Sequence, residues 1–199
     1  MSNYKFIGVT GHRDLKEDMI DIYANIVSQK LLLLKNKHGK ILILSALADG
    51  ADRLVVREGI KLNIEFIAIL PMYKNLYKKD FNEISEIEFD TLLSKAKDVI
   101  SLDILKDNTF SGIKNYGIQR DKQYEAVGRK ICEYSDILLS LWDGIDNNLT
   151  GGTSETIKYF LKHKGDRLCY NLRVKRKSKS IQDKYGISVL KNIITFTEI

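Results

Sequence analysis

The sequence predicts an α/β fold, a three-layer sandwich with a mostly parallel central sheet between helices. Three observations carry this expectation. Short, continuous apolar runs recur along the chain, as strands buried on both faces require. Stretches with helical spacing of apolar residues alternate with them. Glycine, aspartate and small hydroxyl residues gather just after the runs, where such a sheet presents its ligand-binding edge.

The first strand is YKFIGV, residues 4–9, and Ile22, Tyr23, Ile26, Val27, Leu33 and Leu34 then keep helical spacing. KHGK ends that helix, and KILILSA (40–46) is the second strand. Ala51, Leu54 and Val55 form the buried face of a second helix. IEFIAILP (64–71) is the third strand, stopped by the only proline in the chain. Residues 81–97 read as a helix, 98–102 as a short strand and 106–115 as a polar, mobile loop. Tyr124, Val127, Ile131 and Tyr134 mark another helix before the apolar strand DILLSLWDG (136–144). A helix over 153–164 and a strand over 166–174 follow, and IITFTEI adds a possible edge strand near the C-terminus.

The chain has 199 residues, 44% of them hydrophobic and 29% charged, enough for one globular domain with a substantial core. We expect a single domain over 1–199, with its core at 4–174 and a basic loop plus edge strand at 175–199. The apolar runs at 41–44 and 137–142 are too short to cross a bilayer, and the N-terminus lacks a signal core. A cytoplasmic protein with no membrane partner is the expectation. Cys132 and Cys169 have no metal-ligand spacing and read as buried thiols. The net charge of +6 suits anionic ligands. Part of it lies in RVKRKSKS (173–180), read as a solvated loop ahead of a nucleic-acid contact.

The strand ends collect the candidate ligand-binding residues: Thr10, Gly11, His12 and Arg13, then Ser45, Asp49 and Gly50, then Asp143 and Gly144. Gly151, Gly152 and Thr153 lead into a helix whose free amides and dipole favour an anion. Glu155, in that first turn, reads either as a group facing the ligand or as an ordinary dipole-favoured glutamate. Arg13 is the better phosphate candidate of the first turn, because its planar fork grips oxyanions. His12 reads as catalytic or as a hydrogen-bonded structural residue. Asp49 and Asp52 read as acid/base groups, ribose ligands or helix caps, and for Asp52 the cap comes first. Arg120 begins a helix, where a cation is unfavourable unless an anion lies close. Neither a Walker A loop nor GxGxxG occurs, and His12 has no HExxH partner, so no metal and no cofactor are expected.

GVTGHRDL, SALADGADRL, ILPM, RDKQYEAVG, SDILLSLWDG and GGTSET, in this order, resemble the SLOG superfamily over about residues 4–165. That group of Rossmann-like domains includes the LOG phosphoribohydrolases and the DNA-processing protein A family. The likeness is greatest to bacterial SLOG proteins, some of them joined to signalling and antiviral effector domains. The resemblance implies a nucleotide or nucleotide-derived ligand at the strand ends, such as a cyclic ADP-ribose-like signal. It also implies self-assembly into a homo-oligomer or an effector protein as partner.

The alternative is LOG-like hydrolysis of the N-glycosidic bond of a nucleoside monophosphate, with Glu155 and Asp49 as the carboxylates. Gly151, Gly152, Thr153 and Glu155 only approximate the LOG motif PGGxGTxxE, and Arg120 stands for its upstream arginine. Single-stranded DNA binding comes a distant third, so nucleic acid is not expected as a partner.

Overall fold

The computed structural model describes residues 4–146, 150–163, 167–178 and 193–196. Its strands are β1 (Lys5–Gly11), β2 (Ile41–Ser45), β3 (Glu65–Leu70), β4 (Asp98–Ser101), β5 (Ile137–Trp142), β6 (Leu168–Arg173) and β7 (Ile193–Phe196). They form one seven-stranded sheet in the order β4-β3-β2-β1-β5-β6-β7. Every pairing within it is parallel. The helices are α1 (Ile20–His38), α2 (Ala51–Lys61), α3 (Lys74–Tyr77), α4 (Glu83–Leu93), α5 (Phe110–Lys114), α6 (Ile118–Tyr134) and α7 (Thr153–His163).

Alternation along the central strands divides the core between two faces. Ile7, Ile41, Ile43 and Leu139 pack with Leu31 of α1 and Leu54 and Val55 of α2. From the opposite face, Leu42 and Leu44 meet Val127 and Ile131 of α6, while Leu138 and Trp142 meet Ile157 and Phe160 of α7. Both faces being covered, β2 and β5 are buried at every residue, which is why they read as unbroken apolar runs. The edge strand β4 is exposed at all four positions. Both cysteines are buried.

Three segments differ from the sequence reading. The helix expected over 81–97 begins at Glu83, where the Asn82 side chain accepts the Ser85 N–H at 2.9 Å, and it ends at Leu93. The loop expected at 106–115 contains α5, capped by Thr109 and anchored by the fully buried Ile113. Finally, residues 175–178 of the basic segment are largely exposed, as expected, but they are tied to the first turn of the chain. Leu15 and Arg176 form an antiparallel bridge, and the Lys177 N–H donates to the Asp14 carbonyl at 2.8 Å. The side chains of Arg176 and Ser178 both bond Asp14, holding its carboxyl below the usual range against its partial burial. Residues 179 and 180 lie outside the described residues.

Candidate functional site

The chain reverses its direction of travel across the sheet at β1, which pairs with β2 on one side and β5 on the other. Beyond the carboxyl ends of these strands lie two adjoining chambers, where a sheet of this kind takes its ligand. The inner one, about 90 Å³, is bounded by Thr10, Asp52, Tyr77 and Tyr124. The outer one, about 340 Å³, is bounded by His12, Trp142, Gly152 and Arg176. Gly11, Arg13, Gly151 and Thr153 belong to both and form the passage between them.

Close backbone approach shapes the passage. A Cβ on Gly11 would lie 2.3 Å from Ala51 Cβ and 2.7 Å from the Leu141 carbonyl oxygen. Gly50 brings the start of α2 against the β1 turn, where the Ala51 N–H donates to the His12 carbonyl at 3.0 Å. On the other wall, the Thr156 N–H makes its helical bond to the Gly152 carbonyl at 3.1 Å. The amides of the first turn of α7 thus precede any intrahelical acceptor.

Arg13 is the cation of the passage, with 42% of its side chain exposed and Nη1 3.4 Å from Asp80 Oδ2. Its guanidinium lies 5.4 Å from the centre of the Tyr124 ring. Desolvation opposes its charge, but Tyr77, Asp80, Tyr124 and Asp52 outweigh it and raise the pKa further. His12 is buried, and its Nε2 lies 3.0 Å from Asp143 Oδ1, a close contact without hydrogen-bond geometry. Asp143 Oδ1 accepts the Ile145 N–H at 2.9 Å, and the His12 backbone N–H donates to the Leu141 carbonyl at 3.0 Å, which ties the β1 turn to the end of β5. Gly144 follows, with φ +88°.

Other residues singled out in the sequence turn away from the crevice. Arg120 is corrected from a phosphate ligand to an internal strut. It is 1% exposed and donates to Asp80 Oδ1 at 2.7 Å, the Leu76 carbonyl at 2.9 Å, the Ile113 carbonyl at 2.6 Å and the Tyr124 hydroxyl at 2.5 Å. Glu155 folds back to accept the Gly151 N–H at 2.6 Å, and it borders a separate hollow between α6 and α7. Asp49 pairs with Arg53 at 2.8 Å and accepts the Ser85 hydroxyl. Ser45 is fully buried, bonded to Asp52 at 3.3 Å and to the Leu47 N–H at 3.0 Å. Neither carboxylate assigned to hydrolysis borders either chamber.

The carboxylate that does border the inner chamber is Asp52. Burial pushes its pKa up to about 6, against bonds from the Ala48 amide, the Ser45 hydroxyl and the Ala46 amide and the nearby charge of Arg13. The folded protein therefore keeps this proton to higher pH than the unfolded chain. Its stabilising effect is complete below pH 3.8 and is lost as the pH rises through about 6. Relative to Asp52→Asn, the wild-type protein should lose about 3 kcal/mol of stability between pH 3.5 and 7.5, measured by urea unfolding. A difference that stays constant with pH would exclude the shift.

Tyr77, Asp80 and Arg176 were not foreseen as neighbours of the site. Asp80 is the hub, bonded to Arg120, Arg13 and Tyr124. Only the unfavourable charge at the start of α6 signalled that Arg120 needs an anion, and Asp80 is that anion. For Tyr77 the sequence carries no signal.

No protein-family model and no curated protein matches the sequence. Solved structures do. DNA processing protein A from Streptococcus pneumoniae matches 90% of this chain with a TM-score of 0.56 at 15% identity. The chain spans about half, 52%, of that protein's length. DNA processing protein A from Helicobacter pylori matches 88% of this chain and 68% of its own, with a TM-score of 0.54 at 14% identity. The chain has the SLOG-type fold. The SLOG-type sheet, all parallel here, agrees with the expected architecture. It also corrects one expectation: the Helicobacter pylori protein with this fold binds single-stranded DNA, so nucleic acid is not set aside as a partner. Among the described residues, no helix is long and apolar enough to cross a membrane.

Proposed function

We propose that the strand-end crevice binds a nucleotide or nucleotide-derived ligand through its phosphate, held between Arg13 and the first turn of α7. The observation that carries this reading is the contrast between the two arginines. Arg120 is enclosed and fully engaged, whereas Arg13 stands at the passage, partly exposed, with one carboxylate contact at 3.4 Å. A guanidinium so placed opposite a helix N-terminus meets an anion with directional hydrogen bonds from both sides. The outer chamber, about 340 Å³ with Trp142 and Arg176 on its walls, has room for more of the ligand than its phosphate.

Calorimetric titration with nucleoside 5′-monophosphates tests this. Arg13→Ala should weaken binding by about 1.5–3 kcal/mol, roughly 10- to 150-fold. Short single-stranded oligonucleotides titrated in parallel distinguish a free nucleotide from the end of a strand. An affinity unchanged by Arg13→Ala overturns the assignment.

A further inference from the structure

Two polar atoms of the inner chamber, Asp52 Oδ1 and the Tyr77 hydroxyl oxygen, make no hydrogen bond among the described residues. Asp52 is 5% exposed and its Oδ2 accepts the Ala46 N–H at 3.2 Å, the Ala48 N–H at 3.4 Å and the Ser45 hydroxyl at 3.3 Å. Its Oδ1 has no hydrogen-bond partner among the described residues. Three donors on one oxygen fix the carboxyl plane, and the other oxygen is left to the chamber. Tyr77 is 1% exposed, and its ring is held edge-on by Phe81 at 5.0 Å and Phe89 at 5.7 Å. Its hydroxyl likewise makes no hydrogen bond among the described residues, although it lies within electrostatic reach of Arg13 and Asp52. Both residues line the inner chamber and neither atom is sealed off from it, so together they mark a place for ligand atoms.

The chemistry of the pair selects those atoms. A carboxylate oxygen accepts and repels phosphate, so the phosphate belongs at the passage beside Arg13 rather than in the inner chamber. A phenol both donates and accepts. Together they match two adjacent hydroxyls, one donating to Asp52 Oδ1 and the other exchanging a hydrogen bond with Tyr77. We infer that Asp52 and Tyr77 read the ribose diol of the ligand, so that the protein takes ribonucleotides in preference to 2′-deoxyribonucleotides. This rests on the phosphate reading of the crevice and adds the sugar to it.

The test titrates wild-type protein, Asp52→Asn and Tyr77→Phe with the four ribonucleoside 5′-monophosphates, their 2′-deoxy counterparts, ribose 5-phosphate and 2-deoxyribose 5-phosphate. The ribose form should bind at least about tenfold more tightly than the deoxy form, with or without a base, because the deoxy form leaves a buried group unpaired. Both substitutions preserve shape, and each should bring that ratio towards one; Asp52→Asn also removes a negative charge near Arg13, so it should raise the affinity for both sugar forms while their ratio falls. Equal wild-type affinities for the two sugars overturn the inference. So does a preference that survives both substitutions, or one that vanishes for the sugar phosphates and therefore belongs to the base. If the sugars bind equally and Arg13→Ala still weakens both, the phosphate reading stands alone. If no nucleotide or sugar phosphate binds, both fall.

Discussion

Asp80→Ala should lower the unfolding free energy by about 3–5 kcal/mol, the range for removing one partner of a buried ion pair. The Asp80 side chain is 1% exposed and answers three groups: Arg120 at 2.7 Å, the Tyr124 hydroxyl at 2.7 Å and Arg13 at 3.4 Å. Without it, Arg120 keeps its carbonyl acceptors but loses its counter-charge in a site water does not reach. Urea unfolding followed by circular dichroism measures the loss. The pair itself need not be stabilising, since apolar replacements of similar volume often do as well. Asp80→Leu combined with Arg120→Met should therefore recover much of what Asp80→Ala loses. A loss under about 1 kcal/mol for Asp80→Ala would mean that water or another carboxylate reaches Arg120.

Gly50→Ala is the second large effect, and it should strike stability and binding together. Gly50 has φ +74° and ψ −115°, and a Cβ there would lie 2.4 Å from the Arg13 carbonyl oxygen and 2.5 Å from that of His12. Neither neighbour is a side-chain tip that can swing away. Backbone strain and overpacking each cost about 1–3 kcal/mol, so a total near 3 kcal/mol or more is expected. The turn that carries Arg13 must shift as well, and nucleotide affinity should fall at least about tenfold. Gly39 provides the control. It has φ +73° and ψ −103° with nothing within 4 Å of its would-be Cβ. Gly39→Ala should therefore show the strain alone, with a lowered melting temperature and unchanged binding. Equal effects of the two substitutions on binding would show that the contact between Gly50 and the β1 turn does not position Arg13.

The architecture was legible because it depends on local patterns: unbroken apolar runs for β2 and β5, helical spacing for α6, small residues at the strand ends. The same reasoning led to Arg13 and to the glycine-shaped turn around it. It separated the carboxylates less well. Asp49 and Arg53 stand one helical turn apart, an arrangement that points to pairing, and the structure pairs them. Asp52, three residues on from Asp49, turns to the crevice instead. Glu155 had a local explanation as a glutamate favoured by the helix dipole, and the structure turns it back onto the Gly151 N–H of its own loop. What no local pattern contains is the link between residues far apart in the chain. Arg120 looked available because Asp80, 40 positions away, cannot be read as its partner from either segment alone.

The outer wall of the crevice joins residues even further apart, for Asp14 and Arg176 are separated by 162 positions. Bringing such distant segments together is slow, since loop closure must precede the contacts that reward it. The inner chamber also joins distant segments, since Gly11 of the β1 turn and Gly151 before α7 both line it, so the whole crevice should take shape late in refolding, after β1 and β5 have paired.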